Sequence, residues 1–149
     1  AGNTDDRTNM QSILDALGSL PTRVIFPVHP RTRKRIDEWG FSIHSNVSLI
    51  DPLGPLDILQ MQANANCILT DSGGMQKEAY LLGVRCITLR EETEWVETVS
   101  AGWNSLAGVD AKRIRALYET WKPAGERLLL YGDGRAAEKI TQILQNELN

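Results

Sequence analysis

Short apolar runs alternate with segments of helical periodicity along the chain. The first periodic segment follows the capping pair Asp5-Asp6 and is predicted to end at Gly18. Its apolar stripe consists of Met10, Ile13, Leu14 and Leu17. Helices that alternate in this way with short buried strands predict a parallel sheet covered by helices on both faces. We therefore expect a Rossmann-like, doubly wound α/β domain.

The remaining elements follow from the same reasoning. The apolar runs 23–28, 47–50, 67–70 and 86–89 are predicted strands. The predicted helices are 31–39, 55–63, 75–82, a helix that Asp110 caps and that reaches residue 121, and 135–148. A long loop or a short helix is expected up to Gly102.

The composition limits the function classes. A chain of 149 residues with 42% hydrophobic and 23% charged residues suits one packed domain. Its net charge of −3 argues against general nucleic-acid binding. No apolar run is long enough for a bilayer span, and the first residues do not resemble a signal peptide. Cys67 and Cys86 are expected to be reduced core thiols, which fits a cytoplasmic protein.

The segment Asp71-Ser72-Gly73-Gly74 carries the strongest chemical signal, because it joins a predicted strand to a predicted helix. Unpaired amides at the positive end of a helix bind anions, phosphate above all. Two glycines let a diphosphate approach the backbone, and Ser72 adds a hydroxyl donor. The alternative is an ordinary turn in which Ser72 caps the helix and the glycines only relieve steric crowding. The sequence shows no Walker motif, no His/Cys metal cluster and no nucleophile–base–acid set.

The segments 69–83 and 89–106 closely resemble the C-terminal domain of the non-hydrolysing UDP-N-acetylglucosamine 2-epimerase family. Further matches occur at 26–30, 51–57 and 131–134, so the resemblance covers nearly the whole chain. It implies the C-terminal half of a glycosyltransferase B-type fold, with residues 1–149 as a nucleotide-sugar-binding domain. It also implies an N-terminal domain outside this chain and a homodimeric full-length enzyme.

The chain opens on a helix, without the strand that the family carries before it. In a doubly wound sheet the first strand is often central, and its loss would leave two interior edges unpaired. Three outcomes are open: the strand is supplied from elsewhere, the neighbouring strands close up, or the chain assembles with other copies.

The resemblance assigns UDP contacts residue by residue. Ser72, Gly73 and Gly74 would hold the phosphates, and Glu78 would bind the ribose diol, although the isolated sequence favours a solvated surface glutamate. Ile58 would line the uracil pocket, at a position where family members commonly carry an aromatic ring. Without an aromatic ring, stacking on the uracil would be weaker, and backbone hydrogen bonds to the base would matter more.

A second set of residues is expected at the cleft or at an activator site. It comprises His29, Arg31, Arg90, Thr93, Glu94 and Trp95. A turn histidine and a solvated basic helix face are the alternatives for His29 and Arg31. Thr93-Glu94 matches the family's Thr-Glu element, but Trp95 stands where most members have a ligand-binding arginine. An indole cannot replace a bidentate guanidinium contact, which leaves one phosphate or sugar contact in doubt.

The resemblance implies an isomerase that interconverts UDP-N-acetylglucosamine and UDP-N-acetylmannosamine without a cofactor or metal, for envelope polysaccharide. UDP or a UDP-N-acetylhexosamine would be the ligand, and the fragment alone would be inactive. Three alternatives stay open. They are a 2-epimerase for a UDP-2,3-diacetamido uronic acid sugar, a B-type-fold glycosyltransferase domain, and a non-enzymatic UDP-binding module.

Overall fold

The computed structural model describes residues 2–147, in which eight helices alternate with five strands. The helices are α1 (Gly2–Asp5), α2 (Arg7–Ser19), α3 (Pro30–Glu38), α4 (Pro55–Ala63), α5 (Gly73–Leu82), α6 (Val96–Ser100), α7 (Ala111–Thr120) and α8 (Ala136–Glu147). The strands are β1 (Val24–Pro27), β2 (Val47–Ile50), β3 (Ile68–Thr70), β4 (Cys86–Thr88) and β5 (Asn104–Leu106). The last predicted position of the final helix, residue 148, lies outside the described residues.

The helix ends follow the signals in the sequence. Asp6 Oδ1 accepts the amide of Asn9 at 2.8 Å, and Asp110 Oδ1 accepts that of Arg113 at 2.8 Å. Each bond satisfies one of the amides that the first turn of a helix leaves unpaired. Gly83 ends α5 with φ +71°, a left-handed conformation that glycine adopts without a Cβ clash.

All strand pairs are parallel, but the strands form two sheets rather than the single sheet expected. In the first sheet β1 pairs with β2, and Val24 lies opposite Val47. In the second sheet the order is β3-β4-β5, and Ile68 lies opposite Cys86. β1 and β3 therefore do not close up to pair with each other, which removes the second of the three outcomes for the interior edges.

The core lies where α2 and α7 cover the strands. Its largest buried cluster joins α2 to β2, β4 and α7 through Ile13, Leu17, Val47, Ile87 and Ile114. The predicted stripe of α2 is confirmed, since Met10, Ile13, Leu14 and Leu17 are all buried. Apolar burial of this kind is the main stabilising contribution to the fold.

Several local expectations differ from the structure. Gly18 lies inside α2 rather than ending it, and the ring of His44 packs where a Cβ would stand. Helix α5 begins at residue 73, two residues before the expected start, because Ser72 caps it. Neither α1 nor β5 was predicted. Among residues 2–147, no helix has the length and apolar character that crossing a bilayer requires.

Candidate functional site

A cavity of about 840 Å³ lies between β1 and β3, and its lining follows both strands from Arg23 to His29 and from Cys67 to Ser72. Parallel α/β sheets place ligands outside the carboxyl ends of their strands. His29 follows β1 and Ser72 follows β3, and both line this cavity. The same cavity is also lined by Asn3 of α1 and by Asp57 and Ile58 of the first turn of α4.

The start of α5 offers backbone donors beyond the carboxyl end of β3. Ser72 caps the helix, because its Oγ accepts the amide of Met75 at 3.5 Å and its carbonyl accepts that of Gln76 at 3.2 Å. Within residues 2–147, the amides of Gly73 and Gly74 donate to no protein group. These two donors lie at the positive end of a ten-residue helix. This arrangement suits an anion. The Ser72 cap does not block such a site, because it uses the amides of Met75 and Gln76 and leaves those of Gly73 and Gly74 available.

The loop after β4 covers the start of α5. The carboxylate of Glu94 lies against Gly73, at the place where a Cβ of residue 73 would stand, and the Trp95 indole lies beside it. Arg90 Nη1 pairs with Glu94 Oε2 at 3.0 Å. The indole Nε1 of Trp95 is buried and, in the described part of the chain, has no hydrogen-bond partner. Three of the predicted cleft residues thus meet the predicted phosphate site.

A buried polar network holds that loop in place. Gln76 Oε1 accepts from Thr93 Oγ1 at 2.6 Å and from Asn104 Nδ2 at 3.1 Å. Thr93 Oγ1 also accepts the amide of Trp95 at 3.1 Å, so this hydroxyl fixes the loop backbone. Asn104 Oδ1 in turn accepts from Thr88 Oγ1 at 2.8 Å. Sequence reasoning missed Gln76 and Asn104, because nothing in a local pattern shows that residues from α5, β4 and β5 meet.

Glu78 is half-buried on α5 and is tied to the neighbouring helix. Its Oε2 accepts from Gln62 Nε2 of α4 at 2.7 Å. Gln62 is buried, so this bond fixes the direction of the Glu78 carboxylate. Oε1 keeps its lone pairs available, since no group among the described residues bonds to it. Sequence reasoning did not identify Gln62.

His29 and Arg31 face different partners. His29 caps α3, because its Nδ1 accepts the amide of Arg31 at 3.2 Å, and its exposed ring lines the cavity. The Arg31 guanidinium pairs with Asp5 at 2.9 Å. Arg35 pairs with the same carboxylate, so α1 and α3 are joined by charge. The charge of Arg31 is therefore partly neutralised, and Arg31 is not among the residues that line the cavity.

A lysine that the sequence analysis left aside lies beside the covering loop. The ammonium of Lys77 lies 4.9 Å from the ring centroid of Trp95 and 4.6 Å from that of Tyr131. Both distances permit cation–π attraction. The Tyr131 hydroxyl donates to Glu97 at 2.9 Å. Desolvation, together with that hydrogen bond, raises the pKa of Tyr131, so the phenol stays protonated.

The two cysteines are core thiols, and Cys67 also lines the cavity. Cys67 is half-buried, Cys86 is buried, and neither forms a disulfide. Desolvation raises the pKa of Cys67 to about 11 and that of Cys86 to about 12. Both thiols therefore remain protonated at neutral pH and act as small apolar groups of the core, as expected.

Parallel strands enclosed by helices, with a site at their carboxyl edge, define a doubly wound α/β domain. The form found here is that of one half of a B-type glycosyltransferase fold. A crystal structure of Methanocaldococcus jannaschii UDP-GlcNAc 2-epimerase in complex with UDP-GlcNAc and UDP superposes with a TM-score of 0.85 at 34% identity. The match covers 98% of this chain and 43% of that one.

The chain belongs to the UDP-N-acetylglucosamine 2-epimerase family, whose model matches residues 1–145. A UDP-N-acetylglucosamine 2-epimerase homolog of Methanococcus maripaludis is 43% identical over 98% of this chain. The UDP-2,3-diacetamido-2,3-dideoxy-D-glucuronate 2-epimerase of Pseudomonas aeruginosa is 39% identical over 97%. The chain spans 42% of the length of each of these relatives.

Proposed function

We propose that residues 1–149 form the UDP-binding C-terminal domain of a UDP-N-acetylglucosamine 2-epimerase. The observation that carries the proposal is the pair of free amides, Gly73 and Gly74, at the start of α5 on the carboxyl edge of the strands. Family membership and the similarity to a structure that contains UDP-GlcNAc and UDP support the choice of ligand.

In the proposed site the diphosphate lies on these amides and on the Ser72 hydroxyl. The free Oε1 of Glu78 accepts from the ribose, and Ile58 contacts the base. Ile58 and Ser72 line the same cavity, whereas Gly73, Gly74 and Glu78 lie beyond its lining, and the bond from Gln62 to Glu78 supports placing the nucleotide beside α4 and α5. His29, Arg31 and the loop from Arg90 to Trp95 would face the sugar or an activating nucleotide sugar.

The proposed reaction breaks the bond between C1 of the sugar and UDP while a proton leaves C2. UDP then adds again to the resulting glycal after C2 is protonated on the opposite face. No cofactor or metal is needed in this sequence of steps. The domain would stabilise the negative charge that develops on the leaving UDP, which is electrostatic stabilisation by prearranged donors.

The proton-handling groups would come from the N-terminal domain of the longer protein. We therefore expect residues 1–149 alone to bind UDP weakly and to show no turnover. The proposal extends to a cytoplasmic, homodimeric enzyme that supplies UDP-N-acetylmannosamine for envelope polysaccharide, a part that rests on the family resemblance.

The binding site is tested by calorimetry with UDP on the full-length protein that carries this chain. Ser72→Ala and Glu78→Ala should each weaken binding by about 1–3 kcal/mol, because each leaves ligand groups unpaired. Asp110→Ala is the matched control, since it also removes a helix cap but lies on α7. Unchanged UDP affinity in both site variants would show that the site is misplaced.

The reaction is tested by proton exchange. When the full-length protein acts on UDP-N-acetylglucosamine in D₂O, deuterium should appear at C2 of the product without any acceptor sugar. A B-type glycosyltransferase would instead need an acceptor, and a binding module would bind UDP with no exchange.

The second candidate substrate is a UDP-2,3-diacetamido uronic acid. One observation favours it: the chain is 39% identical to the Pseudomonas aeruginosa 2-epimerase for such a sugar. The same D₂O assay with both sugars distinguishes the two substrates by their kcat/KM values.

A further inference from the structure

A buried glutamine lies between α4 and α5. Gln62 is only 2% exposed, and its Nε2 donates to Glu78 Oε2 at 2.7 Å. A carboxylate only accepts hydrogen bonds, so the nitrogen of the side-chain amide must face it. The other end of the amide, Oε1, is buried and has no hydrogen-bond partner among residues 2–147. Gln62 thus keeps one polar atom unpaired in the interior.

This unpaired acceptor lowers the stability of the fold, because nothing replaces the water that it bonds in the unfolded chain. Methionine has a volume close to that of glutamine and no amide to satisfy, so an apolar side chain would suit position 62 better. Proteins keep such local costs mainly at functional sites. The hydrogen bond that the Gln62 amide does make goes to Glu78, a residue of the proposed UDP site.

The bond changes what Glu78 can offer a ligand. Glu78 is half-buried, and within the described part of the chain Gln62 Nε2 is the one donor to its carboxylate. A free glutamate side chain exchanges between several rotamers, and a ligand that requires one of them loses affinity to that ordering. Gln62 holds Oε2, so the carboxylate is fixed before a ligand binds. Oε1 keeps its lone pairs for hydroxyl donors.

The placement of Gln62 agrees with the order of groups along a nucleotide. Gln62 follows Ile58 by one helical turn on α4, so both lie on one face of that helix, and both line the cavity. Glu78 follows Gly74 by one turn on α5, about 6 Å along the helix axis from the free amide. Because the ribose of a nucleotide lies between its phosphates and its base, a carboxylate held between α4 and α5 is where the ribose is expected.

We propose that Gln62 is a positioning residue for the ribose. It orients Glu78 so that Oε1 accepts from the ribose hydroxyl groups, and it thereby makes the site selective for a ribonucleotide. This role rests on the proposed function, because it requires UDP in the site. Gln62 does not touch the ligand, since its own Oε1 is enclosed by the protein. Its effect reaches the ribose only through Glu78.

The test compares UDP with 2′-deoxy-UDP and 3′-deoxy-UDP by calorimetry on the full-length protein that carries this chain. The wild type should bind at least one deoxy analogue roughly tenfold more weakly than UDP, because the analogue leaves Glu78 Oε1 without its donor. Gln62→Met nearly keeps the volume but removes the donor to Glu78. It should weaken UDP binding roughly three- to tenfold and leave the affinity for that analogue nearly unchanged.

Gln11→Met is the matched control. Gln11 Nε2 also donates to a carboxylate, Asp15 Oδ1, at 2.7 Å, but this pair is exposed on α2 and lies outside the lining of the cavity. The control removes the same kind of bond through the same substitution. It should leave the affinities for all three nucleotides unchanged.

A double-mutant cycle shows whether Gln62 acts through Glu78. In a protein that already carries Glu78→Ala, Gln62→Met should cause no further loss of UDP affinity, because the carboxylate that Gln62 orients is absent. Urea unfolding gives the structural readout. The midpoint for Gln62→Met should stay near that of the wild type, because the removal of an unpaired buried acceptor offsets the loss of one hydrogen bond.

Equal weakening of UDP and both analogues by Gln62→Met would give Gln62 a purely structural role and overturn the inference. Additive losses in the cycle, or an unchanged preference for UDP, would overturn it as well. Equal binding of all three nucleotides by the wild type would mean that Glu78 does not meet the ribose, which removes the role of Gln62 but not the diphosphate site. Absence of UDP binding by the wild type would instead overturn the proposed function, and the role of Gln62 with it.

Discussion

The carboxylate of Glu94 lies against Gly73, the first residue of α5, where a Cβ at residue 73 would overlap it. The contact places a negative charge at the helix end that we propose for the diphosphate. Arg90 partly neutralises this charge through its ion pair at 3.0 Å. The loop after β4 thus determines how much negative charge lies beside the amides at the start of α5.

Glu94→Gln should tighten UDP binding several-fold in the full-length protein, because the substitution removes a like charge close to the diphosphate. The gain should shrink as salt is added, since Glu94 is half exposed and its field is screened. Glu92→Gln, at an exposed residue of the same loop, is the control. Calorimetry at two ionic strengths provides the measurement. Weaker binding by Glu94→Gln would instead make Glu94 a ligand contact.

Gly74→Ala should weaken UDP binding while it raises the stability of the fold. A Cβ at residue 74 meets only Ser72 Oγ at 3.8 Å, so the fold accepts it, and alanine in place of glycine adds roughly 0.4–1 kcal/mol of stability. The same methyl group obstructs the approach of a diphosphate to the amides, and UDP affinity should fall roughly tenfold, or about 1.4 kcal/mol. Urea unfolding and calorimetry on the same preparation check both halves.

Gly73→Ala serves as the comparison, because its Cβ would displace the Glu94 carboxylate. It should lower stability, which Gly74→Ala should not do. If Gly74→Ala leaves UDP affinity unchanged, the diphosphate does not contact these amides.

Gln76→Met should destabilise the fold by about 1–3 kcal/mol for each buried partner left unpaired. Gln76 is fully buried, and its Oε1 accepts from both Thr93 and Asn104. The variant nearly conserves volume, so the loss measures hydrogen bonding rather than a cavity. Gln60→Met, at an exposed residue of α4, is the control. Equal midpoints in urea for the two variants would contradict a role of the network in holding the loop.

Alkaline pH should lower stability through the two thiols. Their folded pKa values, about 11 for Cys67 and about 12 for Cys86, exceed the ordinary 9.0. Between these values the folded state binds more protons than the unfolded state, so the free energy of unfolding falls as pH rises above about 9. The slope is at most about 1.4 kcal/mol per pH unit for each thiol.

Urea unfolding of the wild type and of the Cys67→Ala and Cys86→Ala variants at pH 8 to 10.5 measures this slope. Each variant should show a shallower decline than the wild type. A residual decline is expected, because the raised pKa of Tyr131 acts in the same direction. Parallel curves for all three proteins would show that the thiols do not contribute.

Sequence alone determined the elements whose signals are local. The apolar stripe of α2, its Asp6 cap, the bounds of β2 and α4 and the cap at Asp110 all appear in the structure. These features depend on periodicity and on side chains within one turn of their partners, which a linear pattern records. The family, too, was readable from motifs along the chain and is shown by the family match.

Only the tertiary structure decided what depends on contacts between distant segments. β5 escaped prediction because a three-residue strand of Asn-Ser-Leu has no strand signal until β4 lies beside it. The bond from Gln62 to Glu78, the meeting of Gln76 with Asn104, and the division of the strands into two sheets are likewise absent from any local pattern. The two side-chain contacts pair buried polar groups with partners that only folding brings together, and the division into two sheets depends on which strands folding places side by side.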